Sequence, residues 1–154
     1  MRDILKRLIL VLCVFISAAF IQSCASVNAS NQQNILAKQF KTNKDSANVY
    51  IYRPGHGFIG VGLEPNIILN GKIIGPIGSS EFILLNLKSG TYHISAQANN
   101  YLIPDNLSFD VSGNENMFIE ADFLRDNVFQ LANRDEAIKS IKELTLIRSN
   151  EYIQ

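Results

Sequence analysis

Cysteine is scarce in this 154-residue sequence: Cys13 and Cys24 are the only two, and both fall in the first 24 residues. A domain built from the residues after Cys24 has no thiol, so it has neither a disulfide framework nor a cysteine nucleophile and must fold on its hydrophobic core. The two histidines, His56 and His93, stand at unlinked positions without metal-ligand spacing. No G-x-S-x-G elbow occurs, which removes the commonest sequence sign of a serine hydrolase. Basic residues form no cluster either. Without residues 1–23 the balanced 14 and 14 become 11 basic against 13 acidic residues, about −2. Phosphate binding works through clustered Lys and Arg that release counterions, so nucleic acid is not an expected partner.

What is present begins at the N-terminus. Arg2, Lys6 and Arg7 precede "LILVLCVFISAAFI", 14 residues without a charge. A basic start, a short apolar run and a small residue at its end describe a secretory signal peptide, while a permanent span needs roughly 20 apolar residues. The run closes on Ile21-Gln22-Ser23-Cys24, which resembles the bacterial lipobox: an aliphatic residue, two further residues of which the last is small, then cysteine. The resemblance implies a diacylglycerol on the Cys24 sulfur, cleavage just before Cys24 and an acyl chain of the palmitate type on the new amino group. Residues 1–23 are therefore expected to be a lipoprotein signal peptide and Cys24 the lipidation site. Ala25 stands where enteric lipoproteins held at the inner membrane carry aspartate, which favours the outer membrane facing the periplasm.

Residues 24–46 read as the lipid-anchored N-terminus and a tether. "ASVNASNQQ" is small, polar and uncharged, and too poor in apolar residues to order itself. Flexible as far as Ala47, it would reach about 25 Å. Ile35, Leu36 and Phe40 in "NILAKQF" could instead form a short helix or pack on the domain.

From Ala47 the pattern is strands broken by turns. "NVYIYR" is β-branched and aromatic, and a glycine-rich connection comes next. "NIILNGKIIGPI" contains Asn70-Gly71, the dipeptide of a type I′ hairpin turn, in which both central residues take positive φ. "EFILLNL" and "TYHISAQA" are joined by "KSG", with Gly90 at a turn position. In the second strand Tyr92, Ile94, Ala96 and Ala98 oppose Thr91, His93, Ser95 and Gln97, one face for the core and one for water. "LSFDV", "MFIEADF" and "NVFQLA" complete about seven strands. In "MFIEADF", Met117, Ile119, Ala121 and Phe123 share one face, and Phe118, Glu120 and Asp122 the other. With no helix between strands to make a crossover, the expected architecture is mainly β, an antiparallel β-sandwich over residues 47–148. "NRDEAIKSIKEL" then changes period: Asn133 caps an amphipathic helix with Ala137, Ile138, Ile141 and Leu144 on one side, expected against the sheet edge or end. "TLIRS" is a possible short strand, and residues 149–154 read as a C-terminal tail.

"AKQFKTNKDSANVYIYRP", "IILNGKIIGPI", "FILLNLKSGTYHISA" and "DEAIKSIKELTLI" occur in that order, and together they resemble the bacterial lipoprotein family with domain of unknown function 2846. The hairpin "ILNGKIIGPIGSSEFILLNLKSGTYHI" is also similar to PEGA repeats and carboxypeptidase-regulatory-like domains, although Gly75-Pro76-Ile77 replaces their usual proline and threonine. That similarity implies a transthyretin-like sandwich used for binding or spacing.

No residue pattern selects a reaction, a cofactor or a resident metal. "GHGFIG", Gly55 to Gly60, satisfies G-x-G-x-x-G, with Glu81 at about the dinucleotide spacing, but "VGLEPNIILNG" continues as loop and strand rather than opening a helix, so no nucleotide is expected. Glu120 and Asp122 with Asp126 could hold a hard cation; a solvated acidic edge is the plainer reading. Ser79-Ser80 before Glu81 reads as a turn. One stretch remains, the loop Pro54 to Pro65, where Phe58, Ile59, Val61 and Leu63 are apolar among glycines. They either fold back as a lid on the core or form a contact surface. The expected function is a lipid-anchored cell-envelope module, non-catalytic and used for binding or structure, held to the membrane through Cys24 and with a possible envelope protein partner. An accessory lipoprotein of a larger envelope or secretion complex is the alternative, and an envelope hydrolase a more remote one.

Overall fold

A computed structural model describes residues 31–58, 60, 62–99 and 101–152. Residues 1–30, on which the expected signal peptide, Cys24 and the first part of the expected tether fall, lie outside these residues, as do Ile59 and Val61. The chain divides at Ile35. Residues 31–37 are helical (α1), and the strands and the second helix all belong to the unit from Leu36 onward.

The described residues of that unit form nine strands, β1 (Ala47–Arg53), β2 (Asn66–Leu69), β3 (Lys72–Pro76), β4 (Glu81–Leu87), β5 (Gly90–Ala98), β6 (Tyr101–Val111), β7 (Asn116–Ala121), β8 (Phe129–Leu131) and β9 (Thr145–Tyr152), with helix α2 (Arg134–Lys142) before the last. They form a five-stranded sheet, β8-β7-β1-β4-β9, and a four-stranded sheet, β3-β2-β5-β6. Val49, Ile51, Ile83, Leu85 and Ile119 of the first sheet and Ile67, Leu69, Tyr92, Ile94 and Phe109 of the second share one buried cluster. The backbone amide of Phe129 donates to Asp105 Oδ2 at 3.0 Å, tying β8 of one sheet to β6 of the other.

The four-stranded sheet is antiparallel throughout, and its hairpin turns where the sequence directs: Asn70 and Gly71 have φ of 47° and 78°. The five-stranded sheet differs from the antiparallel expectation. Parallel pairing joins β1 to β7 and β4 to β9. The second of these pairings comes from α2. The helix carries the chain from the β8 edge to the β9 edge, a crossover that alternation within single strands does not encode.

α2 also sits differently from the expected edge position. Its Ala137 and Ile141, with Leu144 beyond it, join Tyr50, Tyr52, Phe82, Leu84 and Phe118 in a second buried cluster on the outer face of the five-stranded sheet. Asn133 caps the helix, its side chain accepting from the Asp135 amide at 2.9 Å. The result is three layers, helix on sheet on sheet, which is why all seven residues of β1 are buried.

Both ends of the domain extend beyond the expected 47–148. Ala37 is buried and its carbonyl accepts from the Tyr50 hydroxyl at 2.9 Å. The Phe40 ring lies 5.2 Å from that of Tyr50. Asn48 Nδ2 donates to the Lys41 carbonyl and to Asn116 Oδ1, and Asn116 Nδ2 donates to the Phe40 carbonyl. Residues 37–46 are thus part of the domain rather than tether, because the aromatic outer face needs cover. At the other end β9 continues through Tyr152 as the partner of β4, so the expected tail from residue 149 is strand that far. Among the described residues no helix is long and apolar enough to cross a membrane.

Candidate functional site

β1 ends on Arg53, 3% exposed at the end of the two sheets. A buried guanidinium must place its fork of donors on acceptors. Here Nη1 donates to the carbonyls of Leu63 and Ile77 and Nη2 to that of Gly60 at 3.1 Å. The Phe123 ring lies 5.3 Å from its carbon, in cation–π range. Burial lowers the Arg53 pKa, and Asp122, Glu81 and Glu64 oppose that shift. Arg53 is therefore the internal post around which the 54–65 loop is wound. Gly60 has φ +75°, and a Cβ there would stand 2.9 Å from Nη2, so this turn of the loop requires glycine.

A second polar cluster adjoins the post. Asp122, 3% exposed, receives Arg125 Nε at 2.8 Å and His56 Nε2 at 3.3 Å on Oδ2. Its Oδ1 accepts from the Leu124 amide at 3.0 Å, which shapes the β7–β8 loop. Glu120 takes Arg125 Nη1 at 3.4 Å and the Tyr52 hydroxyl at 3.0 Å. Burial first, then the Glu120 carboxylate, hold the Tyr52 phenol well above its usual range.

The acidic strand face is accordingly not a solvated edge. Asp122 is buried against Arg125 and His56, because the β7–β8 loop folds the arginine back over the carboxylates. Among the described residues no group of three His, Cys, Asp or Glu side chains is placed to hold a metal ion. His56, which nothing near it in sequence orients, is oriented by Asp122 across 66 positions of chain. His93 stays exposed, its Nδ1 2.7 Å from Ser108 Oγ. Ser79 and Ser80 sit in a turn, closed by the Gly78 amide donating to Glu81 Oε2 at 2.6 Å. Residues 54–58 of the glycine-rich stretch contain a turn and no helix.

Of the proposed contact residues, Phe58 is 99% exposed, which overturns the lid reading for this side chain. The space a lid would fill is held by Arg53 and the loop carbonyls it binds. Leu63 is half-buried and contributes its carbonyl to Arg53. Leu124, from the β7–β8 loop, is 49% exposed and lies beside the same loop, its Cδ2 3.9 Å from where a Gly60 Cβ would stand.

A cleft of about 450 Å³ runs between Pro54-Gly55 and Glu136, Lys139 and Ser140 of α2, with Glu143 just beyond it. The sequence pattern did not reveal Arg53, Asp122 and Arg125 as a unit. The one local signal was the three-residue spacing of Asp122 and Arg125; Arg53 looked like an ordinary strand end.

The fold and this end define a helix-covered pair of β-sheets with a loop-bearing end whose polar groups are consumed in holding its loops. The chain belongs to the family described as Protein of unknown function (DUF2846), which matches residues 43–131. That segment ends with β8, so α2 and β9 lie beyond it. The chain is also 27% identical to a Haemophilus influenzae protein named "Uncharacterized protein", over 86% of this chain and 81% of that relative.

Proposed function

We propose that the protein is a lipid-anchored lipoprotein of the cell envelope whose β domain is a non-catalytic binding or structural module. The observation that carries this reading is Ile21-Gln22-Ser23-Cys24 at the end of an uncharged run with a basic start. The absence of any thiol after Cys24 fits a domain stabilised by its core alone. In this reading the sandwich is grouped with the PEGA and transthyretin-like modules, and Ala25 assigns the anchor to the outer membrane, facing the periplasm.

A binding role is supported over hydrolysis by the use made of the polar groups. Arg53 is committed to three loop carbonyls, and Asp122, Glu120, Arg125 and Tyr52 to one another. A hydrolase needs nucleophile, base and oxyanion donors turned on one point. The test is Cys24→Ala. Metabolic labelling with a palmitate analogue should vanish and the unprocessed precursor accumulate. Undiminished labelling of the variant would overturn the anchor.

A further inference from the structure

The strand registers bring several connections to the end where β1 finishes. Arg53 is opposite Glu81 and Tyr52 opposite Glu120, while Asn66 faces both Pro76 and Gln97. The 54–65 loop, the β5–β6 turn and the β7–β8 loop therefore share this end. At this end Phe58 is 99% and Leu124 49% exposed, and Tyr101 and Leu102, the first two residues of β6, are 79% and 69% exposed. The turns of the opposite end are polar: Asn70-Gly71, Lys88-Ser89 and Ser112-Gly113-Asn114. Of the other exposed large apolar residues, Ile35 and Leu36 are neighbours on α1, and Ile73, Leu131 and Ile147 stand singly on strands.

We propose that the loop-bearing end docks on a lipid bilayer, with Phe58, Tyr101, Leu102 and Leu124 entering the membrane interface. A protein interface typically engages roughly 20–30 residues a side around a close-packed centre. Four apolar side chains from three segments, the 54–65 loop, the start of β6 and the β7–β8 loop, are too few to make such a centre, whereas a fluid bilayer needs no close-packed centre, and tyrosine suits its boundary. The charges behind the tips oppose entry little, since Glu120 and Asp122 are already met by Arg125 and His56. Glu64 and Asp126 are exposed acids, so uncharged phosphatidylcholine suffices and anionic lipid gives no advantage. The inference rests on the proposed anchor for its strength. Leu36 is twelve positions after Cys24, a span of at most about 42 Å, which keeps the domain at high effective concentration near the bilayer, where a few side chains are enough.

The sequence has no tryptophan, so one introduced indole reports alone. The naturally processed full chain is reconstituted into phosphatidylcholine vesicles as Phe58→Trp, Leu102→Trp or, at the opposite end, Lys88→Trp. The first two should emit at shorter wavelength and be quenched by bilayer-brominated lipid, and the third should do neither. Adding Phe58→Ser to the Leu102→Trp chain should lower the docked-to-undocked ratio about tenfold, with thermal unfolding unchanged to show that the fold is intact. Equal quenching at both ends, or none at either, overturns the proposal. An indole at position 58 that is solvent-exposed in vesicles but buried in native envelopes also overturns it, in favour of a protein partner. Mass spectrometry of Cys24 reads the anchor separately: an unmodified cysteine together with quenching in the Phe58→Trp chain removes the anchor and leaves the docking.

Discussion

The four-stranded sheet has one face on the core and the other largely in solvent, whereas the five-stranded sheet is covered on both faces, by its partner sheet within and by α2, Ala37 and Phe40 without. The difference is written in their strands. β5 alternates between buried and more exposed positions along its length, and β1 is buried at every position. Alternation marks a half-buried strand; apolar residues on both faces mark a strand that needs a third layer. Tyr50 and Tyr52 opposite Val49 and Ile51 are that mark here.

The contrast can be broken most forcefully at Phe82, fully buried on the outer face of the five-stranded sheet and stacked 6.3 Å from Tyr50. Phe82→Ala should destabilise the domain by about 3–5 kcal/mol in urea unfolding. Ile73→Ala on the four-stranded sheet, where the side chain is 54% exposed, should stay within about 0.5 kcal/mol. Equal effects would mean that α2 does not seal the outer face.

A second probe uses pH. Burial pushes the Tyr50 phenol up to about 12, and Tyr52 is raised as well. Their stabilising contribution is whole below the unfolded value of 10.0 and is lost as pH rises toward the folded one, because the unfolded chain ionises first. Stability should therefore be insensitive to these groups at neutral pH and fall above about pH 10, by up to about 3 kcal/mol for Tyr50. Unfolding followed by phenolate absorbance checks this, and Tyr50→Phe should reduce the alkaline loss.

The smallest effect sharpens the other side of the comparison. Gly71→Val in the β2–β3 turn should cost more than about 1 kcal/mol. A Cβ at this position meets nothing within 4 Å while φ is +78°, so the loss measures backbone conformation alone. A melting temperature equal to that of the parent chain would show that the turn adapts.

Legibility in the sequence divides along the same line. Asn70-Gly71, the faces of β5, the Asn133 cap and the buried Ala137 and Ile141 could be read because each depends on neighbours a few positions away. The alternation in β7 puts Phe118 and Ile119 on opposite faces, and they lie in different buried clusters. Neither the two parallel pairings nor the extension of β9 past residue 148 was legible: β1 meets β7 only after the whole four-stranded sheet has intervened, and β9 meets β4 where α2 delivers the chain. At the loop-bearing end, the glycines told of a winding loop, but not that Phe58 points outward or that Arg53 fills the space beneath it.

The sequence by itself determined the local geometry: a turn at Asn70-Gly71, strands of period two and a capped amphipathic helix. Tertiary structure alone decided which surfaces meet. His56 reaches Asp122, Arg53 reaches the carbonyls of Gly60, Leu63 and Ile77, and Tyr50 reaches Ala37. The physical reason is that turns and caps arise from steric and hydrogen-bond preferences within a few residues. Burying a guanidinium or a carboxylate, by contrast, is tolerable only when partners from distant segments arrive together.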